Sequence, residues 1–228
     1  MEQQERNVAM QPLINLVLSA WHKGAEIDLD GIGYGRIHWG NKRDIKRECS
    51  SYYRLLSGLA AVTNSKSAFE VGTHWGGSAL SIYRGLQHNS DKATVVTVDI
   101  TTESDNFIPA FNGHSITKLV GDANSQEVVS AVTTLLPTAD FMFIDAAHAM
   151  MPTLSTFAIY EARLRPRVIA FDDIQFNDEM RSFWQVIRKG FGTLSIDVSD
   201  FLPEARDRKC GFGILVLPRA APDLLSSV

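Results

Sequence analysis

A regular alternation of short apolar runs with helical patterns is the feature that most constrains the fold of this chain. Each apolar run has the length of one buried strand, and the segments between the runs repeat apolar residues at three- and four-residue intervals. This alternation predicts parallel strands joined by crossover helices that cover both faces of a sheet. The predicted strands are 67–71, 94–100, 116–120, 140–145 and 168–172, and the predicted helices are 43–63, 78–87, 125–135, 153–164 and 177–189.

The end of the chain breaks this alternation. Apolar runs at 193–198 and 211–217 flank a polar loop with no helical pattern between them, which indicates an antiparallel pair. We therefore predict an α/β fold with a doubly wound, mostly parallel seven-stranded sheet that ends in an antiparallel hairpin. Ligands of such sheets bind beyond the carboxyl ends of the strands, so the residues at those ends are the candidates for a site.

Residues 1–42 differ in character from the rest of the chain. Pro12 lies near a short helical stretch, and between residues 28 and 40 four glycines alternate with apolar and aromatic residues. A segment of this kind suits a mobile cover over a site, and an ordered surface loop anchored by its aromatic residues is the alternative. We expect two parts, a cover or lid segment over 1–42 and the main domain over 43–228.

Composition excludes several classes of protein. The 228 residues are 45% hydrophobic, which suits one compact domain, and 22 Lys and Arg against 26 Asp and Glu give a net charge of −4 without a long basic run. The two cysteines, Cys49 and Cys210, form no C-x-x-C pair. The apolar stretch at 13–21 is too short to span a membrane, and the N-terminus lacks the pattern of a secretory signal. We expect a soluble cytoplasmic protein with neither a nucleic-acid nor a membrane partner.

The first strand ends in a glycine-rich turn. Gly72 and Gly76 allow a ligand to approach the backbone, and Ser78 is predicted to cap the next helix. The glycine spacing does not fit G-x-G-x-x-G. Glu70 would repel a pyrophosphate but suits a cationic ligand such as an ammonium or a sulfonium. A tight turn without a ligand is the alternative.

Strands two and three also end in carboxylates. Asp99 closes the second strand, where its two oxygens can accept both hydroxyls of a ribose, although this residue alone does not distinguish NAD from S-adenosylmethionine (SAM). Asp122 and Ala123 follow the third strand, where the carboxylate can contact a ligand or can act as an N-cap or turn residue. Three successive acidic ends favour a cationic cofactor over NAD.

Strands four and five bring three further carboxylates to the same edge of the sheet. Asp145 ends the fourth strand, and Asp172 and Asp173 end the fifth. Because closely packed carboxylates repel one another, we expect them to bind a divalent cation that prefers oxygen ligands, and Mg²⁺ is the first candidate. His148 lies three residues after Asp145, where it can act as a general base. The alternatives are helix capping for the aspartates and a structural hydrogen bond for the histidine.

These residues resemble a known family. The pattern Glu70-x-Gly-Thr-x-x-Gly-x-Ser78 is similar to the first motif of class I SAM-dependent methyltransferases. Asp145-x-x-His148 with the acidic pair resembles the metal-dependent macrocin- and mycinamicin-type O-methyltransferases and their small bacterial relatives. The resemblance covers 67–173 and departs at 166–168, where relatives commonly carry Pro-Gly-Gly. It implies a Rossmann-like methyltransferase fold in which Asp145, Asp172 and Asp173 bind Mg²⁺ or another divalent cation. It also implies catalysis by His148 and Asp145. The implied SAM-binding residues are Glu70, Gly72, Thr73, His74, Gly76, Ser78, Asp99, Ile100, Asp122 and Ala123.

The expected function is SAM- and Mg²⁺-dependent O-methylation of a hydroxyl on a small molecule, a sugar or a phenolic natural product. The alternatives are a metal-independent N- or O-methyltransferase, a SAM-binding module without catalysis, and an NAD-dependent oxidoreductase. The sequence leaves open whether the chain forms a homo-oligomer. Candidate acceptor contacts are Tyr34, His38, Trp39, Met150, Met151, Phe176 and Trp184.

Overall fold

The computed structural model describes residues 2–29, 32, 50–74, 76–101, 115–145, 147–199, 202 and 210–226. The described helices are α1 (Glu2–Glu26), α2 (Ser50–Val62), α3 (Gly77–Gln87), α4 (Gln126–Leu135), α5 (Met150–Leu164), α6 (Asp178–Phe191) and α7 (Ala221–Leu225), with a 3₁₀ turn at Gly192–Leu194. The described strands are β1 (Ser67–Val71), β2 (Thr94–Asp99), β3 (Ile116–Val120), β4 (Phe141–Ile144), β5 (Val168–Asp172), β6 (Ser195–Asp197) and β7 (Phe212–Val216).

The described strands form one seven-stranded sheet in the order β3-β2-β1-β4-β5-β7-β6. Neighbours from β3 to β5 pair in parallel, and β7 is antiparallel to both β5 and β6. The predicted fold class is therefore confirmed. The strand order reverses between β1 and β4, which places the switch point of the sheet beside the glycine-rich turn, where ligands of such sheets bind.

The central strands formed where the sequence predicted them because they are buried on both faces. β4 and β5 are buried along their whole length, as are all but the first residue of β1. Strands covered on both faces read as continuous apolar runs, which are easy to recognise. The structure ends β2 at Asp99 instead of residue 100 and trims β4 to 141–144.

Helix α1 is much longer than the short helix that the sequence suggested. It runs for 25 residues through Pro12, which has no N–H and so cannot bond to the carbonyl of residue 8. Tertiary packing compensates for this loss, because Leu13, Val17 and Ala20 are completely buried against the rest of the molecule.

Two positions let α1 and α2 approach closely. A Cβ on Gly58 would lie 1.8 Å from the Ala20 carbonyl oxygen, and one on Gly24 would lie 2.0 Å from that of Arg54. Helix α1 thus belongs to the main core. The expected boundary after residue 42 lies outside the described residues and stays a prediction, as do 43–49 of the predicted helix and 33–42 of the predicted cover.

The core has two parts, one on each face of the sheet. The first gathers buried residues of α1, α2 and α3, and the second gathers those of α4, α5 and α6. This arrangement leaves the carboxyl edge of the parallel strands open between the helices. Within the described residues, no helix is long and apolar enough to cross a membrane.

The contact between α1 and α2 generates a first prediction. Gly58→Ala should lower the free energy of unfolding by about 1–3 kcal/mol, because the added methyl group has to push the two backbones apart. Denaturant unfolding followed by circular dichroism measures the change. Gly190→Ala in α6 is the matched control, since nothing lies within 4 Å of its Cβ position. Equal stability of both variants would contradict the close helix contact.

Candidate active site

A cavity of about 440 Å³ opens at the carboxyl edge of the parallel strands. Gly72, Asp99 and Asp122, which follow or end β1, β2 and β3, line one end of it. Asp145 and His148, which follow β4, line the other end. The volume lies in the range of small-molecule and cofactor sites. One cavity therefore joins the candidate cofactor residues to the candidate catalytic residues.

The loop after β1 bends sharply around the cavity. Gly72 has a φ of 100° and donates its N–H to the Val98 carbonyl at 2.8 Å. Gly76, with a φ of 81°, is the N-cap of α3 and makes no side-chain capping bond. The prediction that Ser78 caps this helix is wrong. Ser78 lies inside the helix and is buried, because a left-handed glycine already begins the helix at the preceding turn.

A buried polar network supports the loop from below. The Glu70 carboxylate accepts a hydrogen bond from the Thr97 hydroxyl at 2.5 Å, and the Thr97 hydroxyl lies 2.6 Å from that of Thr73 in the loop. Glu70, Thr73 and Thr97 are at most 1% exposed. This network ties β1, β2 and the loop together. Four predicted cofactor residues, Glu70, Thr73, Gly76 and Ser78, are therefore buried and do not line the cavity, whereas Gly72, His74, Asp99, Ile100, Asp122 and Ala123 line it.

Burial changes the acidity of Glu70. Complete desolvation raises the pKa of this carboxyl group to about 8, against the opposing hydrogen bonds of Ser78 and Thr97. Its Oε1 makes no hydrogen bond of normal geometry. Glu70 is therefore protonated at neutral pH, when it can donate as well as accept hydrogen bonds in the network.

The loop holds Asp99 in place through backbone groups. Oδ2 of Asp99 accepts the His74 N–H at 2.6 Å, and Oδ1 accepts the Thr101 N–H at 3.0 Å. Oδ1 also accepts the Thr101 hydroxyl at 3.3 Å, so the acceptor capacity that remains for a ligand lies mainly on Oδ2. His74 itself has a φ of 42°, a backbone conformation that costs a non-glycine residue about 1–3 kcal/mol.

The turn after β3 is built by its own aspartate. The Asp122 carboxylate accepts the Asn124 N–H at 2.9 Å, and the Ala123 carbonyl accepts the Tyr160 hydroxyl at 2.6 Å. Asp122 is exposed to the cavity while it holds the turn. The sequence leaves a turn and a ligand contact as alternatives, and this geometry is compatible with both.

An acidic cluster with one imidazole occupies the other end of the cavity. Nε2 of His148 lies 2.8 Å from Oδ2 of Asp173 and 3.6 Å from Oδ1 of Asp145. His148 and Asp173 have φ values of 39° and 58°, and the adjoining Ala147 has 67°. Strained residues of this kind persist where the surrounding structure holds them, and they concentrate at functional sites.

The acidic cluster changes the pKa of the His148 imidazole. The carboxylates of Asp145 and then Asp173 raise the pKa of His148 to about 10, against the effect of partial burial. Without a metal ion the imidazole is therefore charged and offsets part of the carboxylate charge. In this state the imidazole already carries its proton, so the general base that the sequence predicts would need the carboxylate charge to be offset by another group.

The donor atoms of the cluster suit a metal ion. Ligand atoms of Asp145, His148 and Asp173 all lie within 4.8 Å of one another. Two carboxylates and an imidazole are common ligands of divalent cations. Asp172, the third ligand that the sequence predicts, is 3% exposed and is not part of this group. Its role as a ligand stays a prediction.

One residue of the site escapes prediction from the sequence. The Tyr52 hydroxyl, from the first turn of α2, donates a hydrogen bond to Oδ2 of Asp145 at 3.2 Å. In the sequence, Tyr52 is only one of the apolar positions of a helix. Nothing local indicates that its hydroxyl reaches a strand end 93 residues away.

The candidate acceptor contacts have different outcomes. The exposed ring of Phe176 lies 5.1 Å from the His148 ring, and Met151 is exposed as well, whereas Met150 is partly buried. Trp184 is 2% exposed and packs in the core beside Phe171, so the prediction that it contacts the acceptor is wrong. The amphipathic pattern of α6 turns Trp184 inward. Tyr34, His38 and Trp39 lie outside the described residues.

Comparisons with known proteins agree with this geometry. A family model described as a methyltransferase domain matches residues 69–174. This segment begins in β1 and ends just after β5, so it contains most of the residues that line the cavity. No curated protein sequence matches the chain.

Solved structures of methyltransferases share the fold at low identity. The O-methyltransferase TomG from Streptomyces achromogenes, in complex with SAM, has a TM-score of 0.59 and 17% identity over 87% of this chain and 95% of its own. An O-methyltransferase from Bacillus cereus, in complex with SAH, has a TM-score of 0.57 and 17% identity, and the match covers 89% of this chain and 91% of that protein. An SAH-bound methyltransferase from Podospora anserina has a TM-score of 0.57 and 15% identity, and the match covers 94% of this chain and 95% of that protein.

The buried carboxyl group generates a second prediction. Between its usual pKa of 4.5 and the folded-state value of about 8, Glu70 ionises in the unfolded chain but stays protonated in the folded chain. Its contribution to stability is therefore present below pH 4.5 and is lost as the pH rises to 8. In Glu70→Gln, the free energy of unfolding relative to wild type should rise by up to about 1.4 kcal/mol per pH unit across this window.

Denaturant unfolding at several pH values between these limits measures the difference. Glu127→Gln on the exposed face of α4 is the matched control for replacing a carboxyl group by an amide. A difference between Glu70→Gln and wild type that stays constant with pH would contradict the raised pKa.

Proposed function

We propose that the chain is a class I SAM-dependent methyltransferase, since a methyltransferase-domain family model matches residues 69–174, and that it transfers the methyl group of SAM to a hydroxyl of a small molecule with the help of Mg²⁺ or another divalent cation. The observation that carries the proposal is the continuous cavity. Its wall runs from Gly72 and Asp99 to Asp145 and His148. A methyl donor at one end and an acceptor hydroxyl at the other would meet inside it.

We assign the SAM site to the residues that line the cavity after β1, β2 and β3. Gly72 lets the methionine part approach the backbone, and Asp99 offers its remaining lone pairs to the ribose hydroxyls. Ile100 and Ala123 would enclose the adenine, with Asp122 beside its amino group. The acidic lining suits the positive charge of the sulfonium.

The buried network below the loop has a supporting role in this proposal. Glu70 and Ser78 are too deeply buried to contact the cofactor directly, and they would act by keeping the loop in its bent conformation. Thr73 and Gly76 belong to the loop itself and share this role. The sequence alone favours the acidic Glu70 as a direct partner of the cation, and we now propose an indirect role for it.

We assign the cation to Asp145 and Asp173, with His148 beside them and Asp172 as the further ligand that the sequence predicts. Their oxygen atoms suit Mg²⁺. A divalent cation there would offset the carboxylate charge and withdraw electron density from the acceptor hydroxyl. Such an offset would lower the pKa of His148, and its imidazole could then lose a proton and act as a base.

The reaction is a displacement at the methyl carbon. The acceptor oxygen forms a bond to this carbon as the bond from carbon to sulfur breaks, and the acceptor proton passes to the imidazole of His148. His148 is 39% exposed and faces the cavity, so a bound hydroxyl can reach it. The protein contributes mainly by aligning oxygen, carbon and sulfur.

The rim near His148 supports a small aromatic or sugar acceptor. Phe176 is 54% exposed and its ring lies beside the imidazole, which offers a flat apolar surface next to the reacting groups. TomG, one of the similar structures, is involved in tomaymycin synthesis. We propose a natural product of comparable size as the acceptor.

One alternative has an observation in its favour. The ion pair of His148 with Asp173 gives the cluster a counter-charge of its own, as a metal-independent methyltransferase would need. A test with a chelator separates the two possibilities.

We predict that chelation abolishes methyl transfer. The assay follows a labelled methyl group from SAM to a panel of catechols, other phenols and sugars. EDTA should lower the rate by about 100-fold or more, because a cation that polarises the acceptor contributes several kcal/mol, and excess Mg²⁺ should restore it. Full activity in the presence of EDTA would favour the metal-independent alternative.

We predict separately that His148→Ala impairs turnover and leaves cofactor binding intact. With an acceptor from the same panel, kcat should fall by about 10²–10⁴-fold, since the imidazole acts only on the acceptor proton. The dissociation constant of SAM should not change. His88→Ala, at the exposed end of α3, is the matched control and should keep the wild-type kcat. An unchanged kcat for His148→Ala would contradict its role as the base.

A further inference from the structure

Tyr52 joins the N-terminal helical layer to the acidic cluster. It lies in the first turn of α2 and is 4% exposed. Its hydroxyl donates to Oδ2 of Asp145 at 3.2 Å. This residue lies outside the segment that matches the methyltransferase family model, which begins at residue 69.

The ring of Tyr52 is fixed by aromatic neighbours on two strands. Its centroid lies 5.8 Å from that of Phe143 in β4 and 5.6 Å from that of Phe212 in β7. A third neighbour, Tyr53, lies at 4.8 Å. A ring packed in this way cannot change rotamer freely, so the position of its hydroxyl is determined by the core.

The two oxygens of Asp145 consequently have different surroundings. Oδ2 accepts the Tyr52 hydroxyl, and Oδ1 is the oxygen that lies 3.6 Å from Nε2 of His148. The hydrogen bond restrains rotation of the carboxylate about its last bond. It therefore keeps one particular oxygen turned toward the cluster.

We propose that Tyr52 is a positioning residue that orients Asp145 for the divalent cation. The inference rests on the proposed cation site. Hydrogen bonds to metal-ligating carboxylates reduce the entropy lost on metal binding, and removal of such a bond commonly lowers the affinity for the metal by about 10–100-fold. Tyr52 acts through Asp145 and has no direct part in methyl transfer.

Tyr52→Phe tests the inference because it removes the hydroxyl and keeps the ring. Isothermal calorimetry with Mn²⁺ measures cation affinity in the full chain without any acceptor. We expect the dissociation constant of Mn²⁺ to rise by about tenfold in Tyr52→Phe. The dissociation constant of SAM should stay at the wild-type value, because the SAM site lies on other strands.

Tyr53→Phe is the matched control. Tyr53 is adjacent on the same helix and equally buried, but its hydroxyl faces Gly77 instead of Asp145. It should bind Mn²⁺ as wild type does. Thermal unfolding of both variants verifies that the fold is intact.

The possible results separate this inference from the proposed function. Wild-type Mn²⁺ affinity in Tyr52→Phe would overturn the positioning role and leave the proposed function standing. A parallel loss of SAM and Mn²⁺ affinity in Tyr52→Phe would also overturn it, since this result indicates general loosening. Absence of Mn²⁺ binding to the wild-type protein would overturn the cation site and with it this inference.

Discussion

The crowding of carboxylates at one edge of a parallel sheet is the constraint on which the rest of this structure depends. Parallel strands all end at the same edge, and in this chain β1, β2, β4 and β5 each carry a carboxylate at or near that end. Like charges at such separations destabilise the folded state unless something offsets them. The site is best understood through the ways in which each carboxylate is stabilised.

Each carboxylate is stabilised differently. Glu70 keeps its proton because it is completely buried. Asp99 accepts two backbone N–H groups from loops of the chain. Asp145 and Asp173 share the imidazole of His148, at the expense of left-handed backbone conformations at His148 and Asp173. The groups with unused acceptor capacity are those that line the cavity, which is why the proposed cofactor and cation sites adjoin.

Much of this arrangement could be predicted from the sequence. Strands buried on both faces appear as continuous apolar runs, and the carboxyl ends of parallel strands meet whatever the details of packing. The sequence alone therefore suffices to assign Asp99, Asp145 and Asp173 to one edge of the sheet. The position of a residue at a strand end is a property of topology, and topology follows from the alternation of strands and helices.

Features that depend on contacts between distant elements could not be predicted. The length of α1 depends on its packing against α2, and the cap of α3 depends on a left-handed Gly76 that makes Ser78 superfluous. Periodicity could not separate Trp184, buried in the core, from an exposed aromatic such as Phe176. The Tyr52 hydroxyl reaches Asp145 only because several aromatic rings pack together.

Calorimetric titration of SAM into wild type, Asp99→Asn and Asp91→Asn tests whether the carboxylates at this edge of the sheet form a SAM site. Asp91 is an exposed carboxylate in the turn before β2 and serves as the matched control. We expect wild type and Asp91→Asn to bind SAM equally and Asp99→Asn to bind it about 10–100-fold more weakly, because a charged hydrogen-bond acceptor is lost. Absence of SAM binding to the wild-type protein, or equal binding by Asp99→Asn, would contradict it.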